Sequence, residues 1–412
     1  MAIIEQEMTG SLAMPDIQRC PFPFLDRLLA ESPVYLDPLT NMYIVTRYED
    51  IGQISARPDL YSNKTTVVVG RHDSPVAEEV ARRFAERGFP EMHTLVTNDP
   101  PEHGSYRALV EKAFTPSYVK ELEPYIEALV DELIDGMLPQ GRANLLPEFA
   151  IKVPMYIIAD QLGVDRADYD RFKLWSDVTV ERNNPLLDPD RELEITEHLI
   201  DMQNYLHARA VAYRENPTDN LLSRLVHAEV DGQKLSDPAL IAIAHQLLVA
   251  GNETTTTGIT TAMWLLLTKP DLRAAIEADP SRIPGFIEEV LRSHSPVPHM
   301  WRVALEDSRI GDVDIPKGAV LMLSYLAGNR DPAQWSCPAD FEPGRKGGRN
   351  HLAFGRGIHF CIGNQLARGE MRIAIRRLLE RLPAMHLSPD HPEPQFIPHF
   401  AIHALDHLHI VF

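Results

Sequence analysis

At 412 residues the chain is long enough for two or three small domains, or for one large domain with a sizeable core, and its net charge of −19 argues against a nucleic-acid footprint and a basic membrane-surface protein. Its three cysteines, Cys20, Cys337 and Cys361, are odd in number and lack framework spacing, which argues against a secreted disulfide scaffold. No window of about eighteen uninterrupted apolar residues exists, and Glu5, Glu7 and Asp16 stand where a signal peptide would be basic, so a cytoplasmic protein without a membrane anchor is expected.

Residues 1–20 look like a loosely held tail. Pro33–Leu36 and Met42–Thr46 alternate as two short strands across a turn at Pro38 and Asn41, and Asp50–Ala56 begins the helical part. From Asn63 to Asn98 the pattern loosens, with Gly70, Pro75, Gly88 and Pro90 around a helix expected at Val76–Phe84; a long irregular segment in a compact domain is a functional candidate. Asp99 is the expected cap of the next helix, with Pro100 and Pro101 in its first turn and His103 and Arg107 four apart on one face.

Helical periodicity continues over Tyr118–Met137 and Phe149–Leu162. Asp165–Tyr213 holds two amphipathic stretches broken at Asn183-Asn184-Pro185 and Asp188-Pro189, in which Phe172, Trp175 and Val178 form a stripe more in keeping with core than with a ligand contact. Asp237 and Pro238 open the longest helix, which should run to about Thr268 before Pro270 stops it. Its centre, Ala250-Gly251-Asn252-Glu253-Thr254-Thr255-Thr256-Thr257-Gly258, gathers poor helix formers and an acid in otherwise apolar surroundings. Threonine hydroxyls that bond carbonyls one turn back bend a helix, and Gly251 relieves crowding there. Gln246, Val249 and Ala250 precede Thr254 by one and two turns and share its side.

Glu289 and Arg292 then lie three apart on one helical face, which alone would be a surface ion pair of little worth. The prolines of Ser295–Arg302 make that segment extended, and Ala319–Leu326 is strand-like. Phe354-Gly355-Arg356-Gly357-Ile358-His359-Phe360-Cys361-Ile362-Gly363 follows, running into a helical pattern from Asn364. Its glycines let the backbone turn tightly and approach a flat ligand, and a helix starting at the cysteine aims N–H groups at the sulfur. A zinc site would need further ligand pairs, covalent haem attachment would need C-x-x-C-H, and a dinucleotide fingerprint would need a third glycine after a strand.

This run fills every specified position of Phe-Gly-x-Gly-x-His-x-Cys-x-Gly and so resembles the haem-binding loop of the cytochrome P450 family, a resemblance that extends from about Pro33 to Phe412. It implies a mainly α cytochrome P450 fold, a large helical domain with small β-sheet regions, in which residues 1–412 form a single domain. It further implies haem b (iron protoporphyrin IX), with Cys361 as the thiolate ligand of its iron and Ala250, Phe354, Gly355, Gly363 and Ala367 around it. His103 and Arg107, in an Asp-Pro-Pro-x-His-x-x-x-Arg element, would join Arg302 and His359 in anchoring the propionates. Glu253 and Thr254, in an Ala-Gly-x-Glu-Thr element, would organise proton delivery. Glu289, Arg292 and Arg345 would form a buried structural network, and Asn329-Arg330-Asp331-Pro332 is a further family landmark.

By the same resemblance, part of 63–98 covers the substrate and the helices of 165–213 form a movable roof. Gln246, Val249, Ala250, Val297, Pro298 and Met300 would line an apolar pocket, with His299, Arg182 or His403 available for a polar end. At His403-Ala404-Leu405 the chain departs from the family's usual glycine turn. The expected activity is a monooxygenase acting on a hydrophobic small molecule with O2. Because the chain ends soon after the cysteine loop, electrons would come from a separate ferredoxin and ferredoxin reductase, and the protein would act as a monomer. Between Arg345 and Arg377, eight basic residues face one acid, Glu370, which points to a docking surface for an acidic ferredoxin. A peroxide-using relative generally lacks the Glu253–Thr254 pair, and a haem sensor or carrier has no use for it.

Overall fold

The computed structural model describes residues 10–65, 74–182 and 187–412. Gly70 and the Asn183-Asn184-Pro185 break lie outside the described residues. The architecture is built on the helix Asp237–Thr268, 32 residues long. It starts where the Ser236 hydroxyl accepts the Ala239 N–H, with Pro238 in the first turn, and it stops before Pro270. Helices Lys152–Gln161, Asn364–Arg381, Tyr169–Glu181 and Pro189–Glu215 all pack on it. Its buried Leu240, Ile243, Leu248, Ile259, Met263 and Leu266 make it the axis of the main core, each such side chain contributing about 1.5–3 kcal/mol by leaving water.

The threonine run is not uniform. Thr254, Thr257 and Thr260 each bond the carbonyl four residues back, whereas Thr256 crosses to the Ala150 carbonyl at 3.2 Å. Phe172, Trp175 and Val178 are fully buried in the main core, in keeping with the packing interpretation of that stripe.

A five-stranded sheet lies to one side. Strands β1 (Val34–Leu36), β2 (Tyr43–Val45), β3 (Tyr61–Ser62), β5 (His299–Ala304) and β6 (Val320–Ser324) take the order β1-β2-β6-β5-β3, with β2 and β6 parallel and the other pairs antiparallel. Between them in sequence comes β4 (Arg142–Asn144). The strand expected over Ala319–Leu326 is shorter, because Ser324 accepts the Ala327 N–H and caps a helical turn at Tyr325–Gly328. The sheet separates two small cores. Leu321, Leu323 and Met300 pack on one side, while Met322 and Trp301 pack with Phe400 on the other. Alternation along β5 therefore sends Met300 and Arg302 one way and His299 and Trp301 the opposite way.

Two local expectations are corrected. The N-terminal tail is held from Gly10 onward: Ser11 Oγ and the Leu12 N–H donate to the buried Asp37 carboxylate at 2.7 and 3.0 Å, and Tyr35 donates to the Gly10 carbonyl. Asp99 does not cap the following helix, Glu102–Ala113, with its side chain; its carboxylate accepts from Ser62 Oγ at 2.5 Å and the Asn63 N–H at 2.7 Å. Both prolines precede that helix rather than forming its first turn.

Candidate active site

The cysteine loop is shaped by two left-handed glycines, Gly355 at φ 69° and Gly357 at φ 72°. A Cβ on Gly357 would lie 2.4 Å from the Ser55 carbonyl oxygen, so both the backbone angle and the close approach demand glycine. The Cys361 N–H donates to the Phe354 carbonyl at 2.8 Å and closes the loop. The following helix begins at Asn364, three residues later than a helix starting at the sulfur would. Burial pushes the Cys361 thiol up, opposed by the Gly363 and Asn364 N–H groups and by the charges of Arg107 and Arg368. A thiolate at this position needs a coordinated cation to complete that opposition, which suits a metal ligand.

Beside the loop lies a cluster of donors to which, among the described residues, no carboxylate is hydrogen-bonded, Asp99 acting on Arg302 and His103 only through space. Arg302 is buried, and its guanidinium donates to the Trp301 carbonyl at 2.7 Å but pairs with no carboxylate among the described residues. Burial pushes its pKa down, the response of a cation short of compensation. The His103 and His359 rings pack at 4.2 Å, and His359 Nε2 is buried without a partner. His359 is driven down to about 3, chiefly by burial and then by His103, Arg302 and Arg107. A dianionic ligand edge satisfies such a cluster, so these residues fit the propionates of a haem. Arg107 stands apart: it donates to the Phe360 and Ile358 carbonyls at 2.7 and 3.3 Å and pairs with Glu111, so here it holds the loop.

On the central helix, Ala250 and Gly251 are exposed although the helix around them is buried, and Glu253 and Thr254 are half-buried. Thr254 donates to the Ala250 carbonyl at 2.9 Å. Burial pushes the Glu253 carboxyl up; Lys173 opposes this and Asp177 reinforces it, those two forming their own ion pair at 2.5 Å. Glu370, on the helix that leaves the cysteine loop, is buried and hydrogen-bonded to Thr255, and Met371 packs against Gly258. The loop and the acid–alcohol turn are thus brought together by one helix pair.

The expected network of Glu289, Arg292 and Arg345 is present and buried. Arg292 meets both Glu289 oxygens at 2.8 Å and donates to the carbonyls of Asn329, Pro338 and Asp340, while Arg345 approaches Glu289 at 3.4 Å. A second network was not read from the sequence. Glu288 takes Arg368 at 2.7 Å and His351 at 3.1 Å, and Arg368 also stacks on Phe354 of the loop. Against a burial that pushes it up, those two donors bring Glu288 down to about 2. The doubled acid of Glu288-Glu289 was the signal for it.

The other expected lining and polar-end residues have the following surroundings. Gln246 gives its carbonyl oxygen to the Leu95 and Val96 N–H groups. Val297, Val249 and Met300 are half-buried. Pro298, His299 and His403 border a separate small pocket with Leu12, Leu25 and Phe400, on the Trp301 side of the sheet. His403 stacks on Phe396 at 3.9 Å, at the point where the sequence departs from the family's usual glycine turn. Arg182 is paired with Glu91 and lies over the Phe84 ring.

The basic run is mostly neutralised from within. Arg372 pairs with Glu123 at 2.7 Å, Arg376 with Glu127, Arg377 with Asp131 at 2.7 Å, and Arg368 with Glu288. Lys346, Arg349 and Arg356 are exposed, Arg349 at 3.8 Å from Glu288 and Arg356 over the Tyr48 ring at 5.2 Å, and Ile358 and Phe360 of the loop are exposed as well.

A family model described as "Cytochrome P450" matches residues 190–410. Cytochrome P450 107B1 of Saccharopolyspora erythraea is 38% identical over 371 residues, 88% of each chain. The cytochrome P450 monooxygenase PikC of Streptomyces venezuelae is 34% identical over 405 residues, 96% of this chain and 92% of that one. Among solved structures, cytochrome P450 CYP109Q5 from Chondromyces apiculatus superposes with a TM-score of 0.87 at 32% identity, covering 98% of this chain and 97% of that one.

Proposed function

The chain belongs to the cytochrome P450 family of monooxygenases, and we propose on that footing that it inserts one oxygen atom from O2 into a C–H bond of a mostly hydrophobic small molecule. The family's cofactor is a haem with a thiolate ligand; we take it to be haem b, with Cys361 as that ligand, and when bound it supplies O2 activation with electron density pushed from sulfur. The observation that carries this reading is the complete cysteine loop beside an uncompensated buried guanidinium, Arg302.

In this reading Arg302, His103 and His359 receive the propionates. Arg107 acts one step away, fixing the Phe360 and Ile358 carbonyls and through them Cys361. Ala250 and Gly251 leave room on the central helix for a flat ligand, and Phe354, Gly355, Gly363 and Ala367 border it. Glu253 and Thr254 handle protons. Burial favours the protonated form of Glu253, which suits a group that releases protons inward. Because the Thr254 hydroxyl already donates to the Ala250 carbonyl, its oxygen is left to accept from a pocket water and hold that water in place.

Val249, Val297 and Met300 supply an apolar wall, in keeping with a hydrophobic substrate. Electrons come from a separate ferredoxin and ferredoxin reductase. With the arginines of 368–377 paired internally, the exposed cations for an acidic partner are Lys346, Arg349 and Arg356. The protein is taken as a single-domain cytoplasmic monomer. Among the described residues no helix is long and apolar enough to cross a membrane.

The test is reconstitution with a ferredoxin and its reductase, using compounds first selected by the spectral shift that marks loss of iron-bound water. Consumption of reduced nicotinamide coupled to hydroxylated product is expected. Ligand binding without any such consumption would make the protein a haem carrier, and turnover with peroxide alone would make it a peroxide user.

A further inference from the structure

The segment from Phe89 to Asn98 has no regular secondary structure, so its backbone polar groups depend on side chains around it. At its start Gln203, on the helix Pro189–Glu215, clamps the backbone of one residue: the Phe89 N–H donates to Oε1 at 2.8 Å and Nε2 donates to the Phe89 carbonyl at 3.2 Å. At its end Asn98 Nδ2 donates to the His93 carbonyl at 3.1 Å. The middle is held from two sides: Asn63 Nδ2 donates to the Val96 carbonyl at 2.9 Å, and on the central helix Gln246 Oε1 accepts the consecutive Leu95 and Val96 N–H groups, each at 3.2 Å. The Leu95 carbonyl in turn accepts from the His359 ring. Leu95 therefore bridges the central helix and the cysteine loop with its side chain buried in the main core, while the adjacent Val96 side chain is exposed.

We propose that Gln246 is a positioning residue, a latch whose carbonyl oxygen holds the 89–98 segment closed as a lid over the site. This rests on the reading of that site as the substrate pocket. The other tie to the segment's early part, Arg182 with Glu91, has its acid 63% exposed, and such a pair holds little. Gln246 offers one oxygen to two successive amides, a contact that can form only when the segment lies down on the helix. That helix also carries Glu253 and Thr254, two turns further on, so the lid is fastened to the element that handles protons. When it is fastened, water is kept out and the substrate is kept in.

The acceptor role separates this proposal from one in which the Gln246 amide N–H contacts the ligand. Gln246→Leu removes both functions, whereas Gln246→Glu keeps the acceptor oxygens and removes the NH2. Amide hydrogen exchange on the substrate-free holoprotein reads the latch directly. In Gln246→Leu the Leu95 and Val96 amides should exchange on the order of tenfold faster, with the helix Glu123–Met137 unchanged. Gln246→Glu should retain most of the protection. In substrate-binding kinetics Gln246→Leu should raise the dissociation rate and KM more than it changes kcat. Unchanged exchange in Gln246→Leu would overturn the latch, as would Gln246→Glu exchanging as fast as Gln246→Leu. Because exchange is read without turnover, failure of the monooxygenase assay would leave this answer standing, and a positive assay would not rescue the latch.

Discussion

Thr254, for which a proton-handling role is proposed, illustrates how far such a role depends on a side chain's partners as well as its type. Its hydroxyl proton is engaged by the Ala250 carbonyl one turn back, so the oxygen faces the pocket as an acceptor. Thr254→Ala should keep cofactor and substrate binding and still consume reduced nicotinamide, but lose hydroxylated product to hydrogen peroxide by a factor on the order of ten, the scale expected when the group that positions a proton-relaying water is lost. Product and peroxide measured per nicotinamide check this, and unchanged coupling would move the task to another group such as Thr255. Glu253→Gln should slow the whole cycle instead, since burial favours the protonated acid that the amide cannot replace. The motif residues were legible because few other arrangements use them. Their hydrogen-bond partners were not, because a sequence does not say which way a side chain turns: Gln246 and Arg107 were expected at ligand and propionate, and the structure has them holding backbone.

At the scale of elements, the boundaries of the central helix were readable to the residue, because Ser236, Pro238 and Pro270 punctuate a strongly apolar run. The Asp99 cap was misread since local rules do not see Ser62 and Asn63, thirty-odd positions away, competing for the carboxylate. The contact between the central helix and Asn364–Arg381 was equally invisible, and it holds a titratable group. Burial raises Glu370 to about 8 against a Thr255 hydrogen bond that lowers it. An acid whose folded pKa lies above its unfolded value keeps its proton in the fold after the unfolded chain has lost it. Stability therefore falls as pH rises from about 4.5 to about 8, by up to a few kcal/mol. Glu370→Gln, neutral throughout, should have a higher Tm than the parent above about pH 8 and little advantage near pH 5. A difference in Tm that does not change with pH would show that Glu370 is not the buried acid described.

For the whole molecule, the net charge was readable but its distribution was not. The basic run between Arg345 and Arg377 suggested a broad positive face, yet the acids that neutralise it come from Glu123–Met137 and Glu288, far away in sequence. The two arginines Arg349 and Arg372 therefore make opposite predictions. Arg349→Glu, at a side chain 75% exposed and 3.8 Å from Glu288, should slow electron delivery from a ferredoxin and weaken its salt dependence while lowering Tm only slightly. Arg372→Glu should place like charges beside Glu123 and lower Tm, with a smaller effect on electron delivery. Stopped-flow reduction at low ionic strength, run alongside thermal melts, separates the two, and equal reduction rates for parent and Arg349→Glu would remove the remaining cations as the docking site. The account as a whole depends on Cys361 binding iron as a thiolate. The most direct measurement is the carbon monoxide spectrum of the reduced protein, compared between the parent chain and Cys361→His. The parent should show the red-shifted band of thiolate ligation and the variant should bind haem without it, whereas a red-shifted band retained in Cys361→His, or absent from a haem-loaded parent, would contradict the assignment.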